Sequence, residues 1–338
     1  MKAKDIPAKG VPPMAELPQG EAVDFDSVVR QYLDGQYDLI CVLGPTASGK
    51  TGYAASLAHQ VRRMAENGDI AAGTRAEIIS ADSRQVYRGM DIGTGKDLGE
   101  YGDVAYHLID IADAGSKYNI YEYQRDFERA WKEVRKRGNI PILCGGSGLY
   151  IEAATMGYSL PEVPADPELR AALEQMDTPS LIRKLASLKP LHNSTDYDTR
   201  KRLIRAIEIA VYEAEHPVGH TSVLPKSTYF IGTLVSREER NARIDRRLEA
   251  RLKEGLTDEV RRLLDSGLKA EDLIYYGLEY KFVTLYLTGV LEYEEMKKLL
   301  AIAIHQFAKR QMTWFRGMER RGVRIHWVAM TDQAPNRD

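Results

Sequence analysis

The sequence has few cysteines and no long apolar run. Its 338 residues include two cysteines, Cys41 and Cys144. Both lie in apolar segments typical of buried strands, which favours reduced structural thiols and offers no partners for a metal site. No apolar run approaches the roughly 18 residues of a membrane span, and the N-terminus lacks the pattern of a secretion signal. We therefore expect a cytoplasmic protein with no membrane association.

The chain also lacks a strong net charge. Its 47 Lys and Arg residues face 49 Asp and Glu residues, which gives a formal charge of −2. A nucleic-acid partner would thus need a local basic face rather than a global field. Arg240, Arg243, Arg247 and Arg251 recur at steps of three and four, which places them on one stripe of a helix. An ordinary amphipathic surface helix is the simpler interpretation of this stripe.

Short apolar runs alternate with helical patterns along most of the chain. The run 38–43 ends at Gly44 and predicts a buried strand. Similar runs recur at 77–81, 105–111, 140–144, 228–235 and 323–328. Helical patterns between them include 53–66 and 121–137. This alternation predicts an α/β fold with a doubly wound, mainly parallel sheet.

Two stretches depart from the α/β pattern. Residues 1–36 contain four prolines and little apolar periodicity, which predicts a flexible N-terminal arm with a short helix around 28–33. Residues 160–226 lack strand patterns and read as short polar helices, which predicts a small helical insertion. The core would then comprise 37–159 and 227–330, with a helical C-terminal part.

Residues 44–51 match the phosphate-loop pattern G-x-x-x-x-G-K-[ST] between a strand and a helix. The glycines let backbone N–H groups point at phosphate oxygens, and the helix N-terminus and Lys50 add positive charge. Thr51 can offer its hydroxyl to Mg²⁺ or to a phosphate oxygen. We predict a phosphate site formed by Gly44, Pro45, Thr46, Ala47, Ser48, Gly49, Lys50 and Thr51. The pattern alone leaves the phosphate compound open.

A carboxylate, Asp82, ends the second predicted strand. Because the carboxyl ends of strands in a doubly wound sheet face the ligand crevice, Asp82 should face the phosphates. Three roles are open at this point: an indirect Mg²⁺ partner, a general base, or a turn cap. On position alone, the turn cap is the commonest of the three.

The residues after Asp82 resemble the signature of the tRNA dimethylallyltransferase family, also called tRNA isopentenyltransferases. Residues 82–96 read DSRQVYRGMDIGTGK, and the phosphate loop GPTASGKT is that family's own version. Further motifs follow in the family's order at 107–111, 145–150, 166–170, 202–208, 236–237 and 308–316. Order and spacing hold from about 38 to 328. The sequence shows no zinc-finger pattern after the last motif, so the resemblance is to the bacterial type.

The resemblance implies a phosphate-loop NTPase-like fold and a prenyl transfer. The dimethylallyl group of dimethylallyl diphosphate would pass to N6 of the adenosine immediately 3′ of the anticodon (tRNA position 37), with Mg²⁺ as cofactor. The phosphate loop would bind the donor's diphosphate rather than a nucleoside triphosphate. The expected partners are the anticodon stem-loop of tRNA and the donor, and we expect a monomer.

The resemblance also implies roles for individual residues of this chain. Asp82 would be the general base toward the N6 amine, Lys50 and Thr51 would act on the leaving group, and Arg237 would help hold the diphosphate. The residues matched to tRNA contacts are Asp82, Ser83, Arg84, Gln85, Ser147, Arg170, Lys201, Arg202, Leu203, Ile204 and Arg205. The arginine stripe gains the tRNA backbone as a further partner.

The chain departs from the family pattern at three places. Ser147 stands where threonine is usual, which keeps the hydroxyl. The segment 277–280 reads GLEY in place of G-Y-[RK]-[EQ], and Ile304-His305 replaces Thr-Arg. Each of the last two changes removes a basic residue. These departures concern tRNA binding, because the phosphate loop and Asp82 are intact.

Three alternative functions stay open. An adenylate isopentenyltransferase would prenylate a free nucleotide, but the predicted helical insertion favours a macromolecular acceptor. A phosphate-loop small-molecule kinase would need an arginine-rich lid and a nucleobase site, for which the sequence gives no clear signal. A tRNA-binding protein without catalysis is opposed by the intact Lys50, Thr51 and Asp82.

Overall fold

The computed structural model describes residues 18–157, 163–189, 199–216 and 223–330. In this part of the chain, six strands form one sheet in the order β3-β2-β4-β1-β5-β6, and every neighbouring pair is parallel. The strands are β1 Leu39–Leu43, β2 Ala76–Ser80, β3 Tyr106–His107, β4 Ile140–Gly145, β5 Thr228–Leu234 and β6 Ile325–Ala329. The predicted mainly parallel α/β sheet is confirmed.

Helices connect the strands and extend beyond them. They are α1 Phe25–Leu33, α2 Lys50–Glu66, α3 Ile120–Lys136, α4 Gly148–Thr155, α5 Pro167–Glu174, α6 Thr178–Leu188, α7 Arg200–Glu215, α8 Arg237–Glu254, α9 Leu256–Asp265, α10 Ala270–Tyr275, α11 Leu278–Leu287 and α12 Tyr293–Arg320. A short 3-10 helix spans Leu98–Tyr101. Within the described ranges, no helix is both long enough and apolar enough to cross a membrane.

Side chains of the central strand β1 belong to two hydrophobic cores, one on each face of the sheet. Leu39, Cys41 and Leu43 face α3, α4 and α12, whereas Ile40 and Val42 face α1 and α2. All five side chains are fully buried, because helices cover both faces of the sheet. This burial fixes β1 in the middle of the sheet and places the loop that follows it at the centre of the sheet's carboxyl edge.

The third predicted strand run, 105–111, is shorter than its apolar residues suggest. Tyr106 and His107 pair with β2, but Leu108 and Asp110 have φ angles of 62° and 56°. Such angles lie outside the β region, so the strand ends. The Asp110 N–H then donates to the Gln85 carbonyl, 3.1 Å away. This turn holds the chain after Asp82 against the sheet.

The segment expected to form a helical insertion contains α5, α6 and α7, which share a small apolar core including Leu173, Leu181 and Ile207. The domain boundaries themselves stay predictions. Residues 1–17 of the expected flexible arm lie outside the described residues. The rest of that stretch includes α1, which packs against the core through Phe25 and Val28.

A buried carboxylate links β2 to its neighbours on the edge of the sheet. Glu77 accepts hydrogen bonds from Arg137 Nε at 3.0 Å and Nη2 at 2.7 Å, and from Asn139 Nδ2 at 2.6 Å. Its Oε2 lies 2.7 Å from His107 Nε2. Burial acts to raise the pKa of Glu77, but these hydrogen bonds outweigh it and lower the pKa to about 2.

We expect the free energy of unfolding of Glu77→Gln to fall less than that of wild type as the pH is lowered. Because the folded pKa lies below the ordinary value of 4.5, the carboxylate stabilises the fold above about pH 4.5, and this contribution is lost as the pH falls toward 2. Its size is about 1–2 kcal/mol after allowance for solvent screening. Urea unfolding between pH 7 and pH 3 measures it, with Glu66→Gln as a surface control. An identical pH slope in wild type and Glu77→Gln would contradict the assignment.

Candidate active site

Three loops meet at the carboxyl edge of the sheet. The phosphate loop follows β1, residues 81–85 follow β2, and Gly145-Gly146 ends β4, the strand between them. A Cβ atom at Gly145 would overlap the Ala81 carbonyl oxygen, and one at Gly146 would lie 3.1 Å from the Gly44 carbonyl oxygen. The paired glycines therefore permit the phosphate loop and the Asp82 segment to approach each other closely.

The phosphate loop leaves backbone donors available to an anion. Ala47 and Gly49 have φ angles of 61° and 80°, and α2 begins directly afterwards at Lys50. The first N–H groups of a helix have no partner within the helix, so this end favours negative charge. Ser48 has a different role. It is fully buried, and its Oγ lies 2.7 Å from Thr233 Oγ1, which anchors the loop to β5.

A cavity of about 410 Å³ opens beside this loop. The predicted phosphate-loop residues that line it are Thr46, Ala47, Gly49, Lys50 and Thr51. Gly44, Pro45 and Ser48 do not line it. The predicted residues from the neighbouring loops are Asp82, Ser83, Arg84, Gln85 and Ser147. The structure thus gathers into one cavity residues that the sequence separates by about one hundred positions.

Lys50 and Asp82 are oppositely charged residues of this cavity. Desolvation lowers the pKa of Lys50, and the nearby Asp82 carboxylate opposes part of that effect. The Lys50 ammonium donates a long hydrogen bond of 3.5 Å to the Pro45 carbonyl. An ammonium held mainly by such weak contacts keeps donors for an incoming anion.

Asp82 caps a turn and also faces the cavity. Its Oδ1 accepts a 2.9 Å hydrogen bond from the Arg84 N–H. The turn is further fixed by Ser147, whose Oγ accepts from the Ser83 N–H at 3.0 Å. The capping and catalytic interpretations are therefore compatible, because the capped turn holds the carboxylate in place at the cavity wall.

Gln311 of α12 joins two of the three loops. Its Oε1 accepts from the Thr46 N–H at 2.8 Å, and its Nε2 donates to the Gly146 carbonyl at 2.9 Å. The side chain is buried. Gln311 lies within the motif 308–316, which pointed to its importance, but the sequence gave no sign of these two contacts.

The remaining predicted site residues lie outside the cavity lining. Arg237 is exposed and begins α8 just after β5, the neighbour of β1. It therefore shares the sheet edge with the phosphate loop, and its role toward the diphosphate stays a prediction.

The predicted tRNA-binding residues of the insertion fall into three groups: ion-paired, exposed and buried. Arg170 donates two hydrogen bonds to the buried Glu208, at 2.6 and 2.9 Å, and Arg205 donates to the same carboxylate at 3.2 Å. Lys201 and Arg202 are exposed on α7, the helix that also holds Arg205 and Glu208.

Leu203 and Ile204 are 0% and 4% exposed and belong to the insertion's core. Helical periodicity turns these two side chains inward, and the tRNA contacts predicted for both positions stay predictions. Contacts by their exposed neighbours stay predictions.

Of the two positions that lack the family's basic residue, Glu279 lines the cavity and His305 does not. Leu278, Glu279 and Ile304 line the cavity. His305 instead pairs with Asp245 of α8, with 2.7 Å between Nε2 and Oδ1. Cations in the wall still outnumber acids, because Lys50, Arg84, Arg247, Arg251, Lys281 and Arg310 face Asp82, Asp97, Glu100 and Glu279. The cavity therefore favours an anionic ligand.

The arginine stripe of α8 is less exposed than an ordinary surface stripe. Arg240 and Arg251 are each 8% exposed, and Arg247 and Arg251 line the cavity. Arg243 pairs with Glu239 at 2.7 Å. The spacing located the stripe correctly, but the surface-helix interpretation is wrong for Arg247 and Arg251, which line the cavity beside the phosphate loop.

A buried carboxylate organises another loop that lines the cavity. Glu259 is 3% exposed and accepts from the N–H groups of Asp91, Ile92 and Gly93 at 2.9, 2.8 and 3.0 Å. The Tyr280 hydroxyl donates to its Oε1 at 2.6 Å. The loop it holds contributes Gly93, Thr94 and Gly95 to the cavity. Sequence reasoning missed Glu259, which belongs to no motif.

We expect Glu259→Gln to destabilise the fold by about 2–4 kcal/mol, because an amide NH₂ would then face backbone donors that stay buried. Tyr280→Phe removes one donor and leaves the three amides satisfied, so about 1–2 kcal/mol is expected. Thermal and urea unfolding of both variants measure the difference. Equal stability of Glu259→Gln and wild type would show that the loop is held by other contacts.

Comparison with known proteins identifies the family. A model of the IPP transferase family matches residues 85–318. The tRNA dimethylallyltransferase 1 of Parabacteroides distasonis is 55% identical over 299 residues, which cover 87% of this chain and 93% of that protein.

The chain belongs to the IPP transferase family.

A second relative, the tRNA dimethylallyltransferase 2 of Syntrophotalea carbinolica, is 49% identical over 294 residues and covers 86% of this chain and 94% of that protein. The family resemblance read from the motifs is thereby confirmed.

Solved structures agree with this membership. The full-length tRNA isopentenylpyrophosphate transferase of Bacillus halodurans superposes with a TM-score of 0.62 at 32% identity, covering 88% of this chain and 91% of that one. The Staphylococcus epidermidis enzyme gives 0.59 at 30% identity, covering 87% and 94%. A eukaryotic dimethylallyltransferase acting on tRNA gives 0.69 at 22% identity over 87% of this chain and 74% of that one, which supports the fold alone.

Proposed function

We propose that this transferase moves the dimethylallyl group of dimethylallyl diphosphate to N6 of the tRNA adenosine immediately 3′ of the anticodon. The observation that carries the proposal is the meeting of a phosphate loop, Lys50 and Asp82 in one cavity. Relatives at about half identity whose names state tRNA as the substrate support a tRNA acceptor.

The reaction divides between the two charged residues. The adenine N6 forms a bond to C1 of the allyl group while the C1–O bond breaks and diphosphate leaves. Lys50 and the phosphate-loop N–H groups stabilise the negative charge that builds on the diphosphate. Asp82 accepts the proton that N6 releases, which makes a weak amine nucleophile more effective as the bond forms.

The donor set of the cavity fits Mg²⁺ bound together with a diphosphate. Mg²⁺ usually takes one or two protein oxygens and fills its shell with phosphate and water. Thr51, Asp82 and Glu100 supply oxygens at the cavity wall. Among the described residues, no group of three or more His, Cys, Asp or Glu side chains could hold a metal by itself. We assign the ion's protein contact to Thr51; when bound, Mg²⁺ would supply charge neutralisation to the leaving group.

The rim of the cavity supports a nucleic-acid acceptor. Tyr275 and Phe307 line it, with 50% and 37% of their surface exposed, beside Arg84, Lys281 and Arg310. Aromatic faces can stack on unpaired bases while cations contact phosphates. The target adenine must leave its stack to reach Asp82, and the anticodon loop lowers the free energy required because its bases are partly unstacked.

An acceptor comparison tests the proposal. Wild-type protein would be incubated with Mg²⁺, labelled dimethylallyl diphosphate and either unmodified tRNA or AMP, and ATP hydrolysis would be followed separately. The proposal predicts label in tRNA alone. Label in AMP with none in tRNA, or ATP hydrolysis without prenyl transfer, would overturn it. Monomeric state and cytoplasmic location stay predictions.

A further inference from the structure

Two arginines of α8 line the cavity together with the Asp82 segment. Arg247 and Arg251 are one helical turn apart, and their side chains are 34% and 10% exposed. Both also line a side pocket of about 20 Å³, whose other walls include Thr46 and Ala47 of the phosphate loop. The two guanidinium groups therefore lie beside the predicted diphosphate site, although no motif assigned either of them a role there.

Both arginines hold buried donors that the described part of the chain leaves without a hydrogen bond. These are Nε of Arg247 and Nη2 of Arg251. Burying an unsatisfied donor costs about 1–3 kcal/mol, and more for a charged group. Because both arginines also line the cavity, the two donors point to an acceptor that a ligand supplies.

Nearby acids hold the arginine charges without satisfying these donors. Asp97 Oδ2 lies 3.5 Å from Arg247 Nη2 and 3.8 Å from Arg251 Nη2, and Glu279 Oε1 lies 3.7 Å from Arg251 Nη1. These separations exceed the usual 2.7–3.2 Å of a hydrogen bond. The carboxylates thus balance charge and leave room for a closer oxygen.

The backbone brings the two guanidinium groups together. Gly95 has a φ angle of 64°, and a Cβ atom there would overlap Nη2 of both arginines. Glycine is therefore required for both side chains to converge above this backbone. Burial lowers the pKa of Arg251, and the charge of Arg247 lowers it further. Two like charges held this close favour an anion between them.

We propose that Arg251, together with Arg247, binds a phosphate oxygen of the ligand in this cavity, and that Glu279 is a positioning residue that holds Arg251. This inference rests on the proposed function for the ligand's identity. A phosphate oxygen could belong to the donor's diphosphate or to a tRNA phosphodiester, and the side pocket beside Thr46 makes the first the nearer source. The assignment also gives a specific role to Glu279. This acidic residue stands at a position where the family pattern has Arg or Lys.

The test compares Arg251→Met with wild type. Calorimetric titration with inorganic pyrophosphate and Mg²⁺ measures the affinity for a diphosphate. Binding of tRNA at several salt concentrations measures the contribution of the tRNA phosphodiesters. Arg246→Gln is the matched control, because Arg246 lies on the same helix, is 70% exposed and pairs with Glu239. Arg251→Lys keeps the positive charge but loses the paired N–H donors of the guanidinium group. Its affinity should therefore lie between those of Arg251→Met and wild type. Should Arg251→Met fail to fold, Arg251→Met/Glu279→Gln removes both charges of the pair.

The outcomes distinguish the donor's diphosphate from the tRNA backbone as the source of the phosphate oxygen. A pyrophosphate Kd raised roughly tenfold or more, with Arg246→Gln unchanged, supports the inference with the donor as source. A weaker tRNA affinity whose salt slope falls by about one supports it with the tRNA backbone as source. Wild-type affinity for both probes in Arg251→Met would overturn it. Binding of both probes by a wild-type protein that prenylates nothing would instead remove the proposed function and leave the anion site in place.

Discussion

Asp82→Asn is expected to lower the rate of prenyl transfer by roughly 10²–10⁴-fold, the usual contribution of a general base. Asparagine preserves the oxygen that accepts the Arg84 N–H, so the turn and the cavity wall should stay in place. The amide cannot accept the proton of N6. The effect should therefore fall on kcat rather than on the KM of the donor.

Donor binding provides the contrast for this variant. Asp82 places a negative charge in the cavity that receives the diphosphate, so its removal should leave pyrophosphate affinity unchanged or slightly higher. Asp113→Asn is a suitable control, because Asp113 is 82% exposed in its pair with Arg88. Single-turnover transfer and pyrophosphate titration measure the two effects. A rate within a few-fold of wild type would show that Asp82 caps a turn and does not act as the base.

Lys50→Met is expected to abolish diphosphate binding while leaving the unliganded fold intact. Desolvation lowers the pKa of the Lys50 ammonium more than the nearby Asp82 carboxylate raises it, so the buried charge makes the fold less stable. Methionine has similar length and needs no solvation, so the melting temperature should stay the same or rise. The affinity for pyrophosphate should fall by roughly a hundredfold or more, because a charge-assisted contact to both phosphates is lost.

Thermal unfolding with and without pyrophosphate shows both effects in one experiment. Wild type should gain stability with pyrophosphate and Mg²⁺, whereas Lys50→Met should gain none. Lys132→Met is the control, since Lys132 is on α3 and pairs with Glu128 on the surface. A Lys50→Met protein that melts far below wild type, yet still responds to pyrophosphate, would assign Lys50 to the fold and not to the ligand.

The elements that depend on local sequence were predictable. Five of the six strand runs match the observed strands closely because buried parallel strands are continuous apolar segments between turn residues. The run 105–111 was overestimated, since the positive φ angle of Leu108 has no signal in residue type, although Asp110 is of a type that tolerates such an angle. The phosphate loop was equally visible, because its chemistry lies within eight consecutive residues.

The parts that depend on tertiary packing were not predictable. The contacts of Gln311 with Thr46 and Gly146 join residues far apart in the chain. Glu259 holds three amides of a loop more than 160 positions away, and nothing in its neighbourhood distinguishes it from a surface glutamate. Arg251 shows the same limit, because helical spacing locates a stripe but not what covers it.

The family resemblance supplied what local patterns could not. It directed attention to Ser83, Arg84, Gln85 and Ser147, all of which line the cavity with Asp82. It was less informative for the insertion, where Leu203 and Ile204 were included with their exposed neighbours. A motif gives the same weight to buried and exposed positions. Only the structure shows which of its residues are exposed and can contact a ligand.

Nucleoside analysis of treated tRNA tests the central claim most directly. Wild-type protein, Mg²⁺ and dimethylallyl diphosphate would be incubated with unmodified tRNA, or with the same tRNA carrying guanosine in place of the adenosine 3′ of the anticodon, before digestion and mass spectrometry. The account predicts N6-dimethylallyladenosine from the first tRNA and no prenylated nucleoside from the second. An unmodified first tRNA, or prenylation that persists in the second, would contradict it.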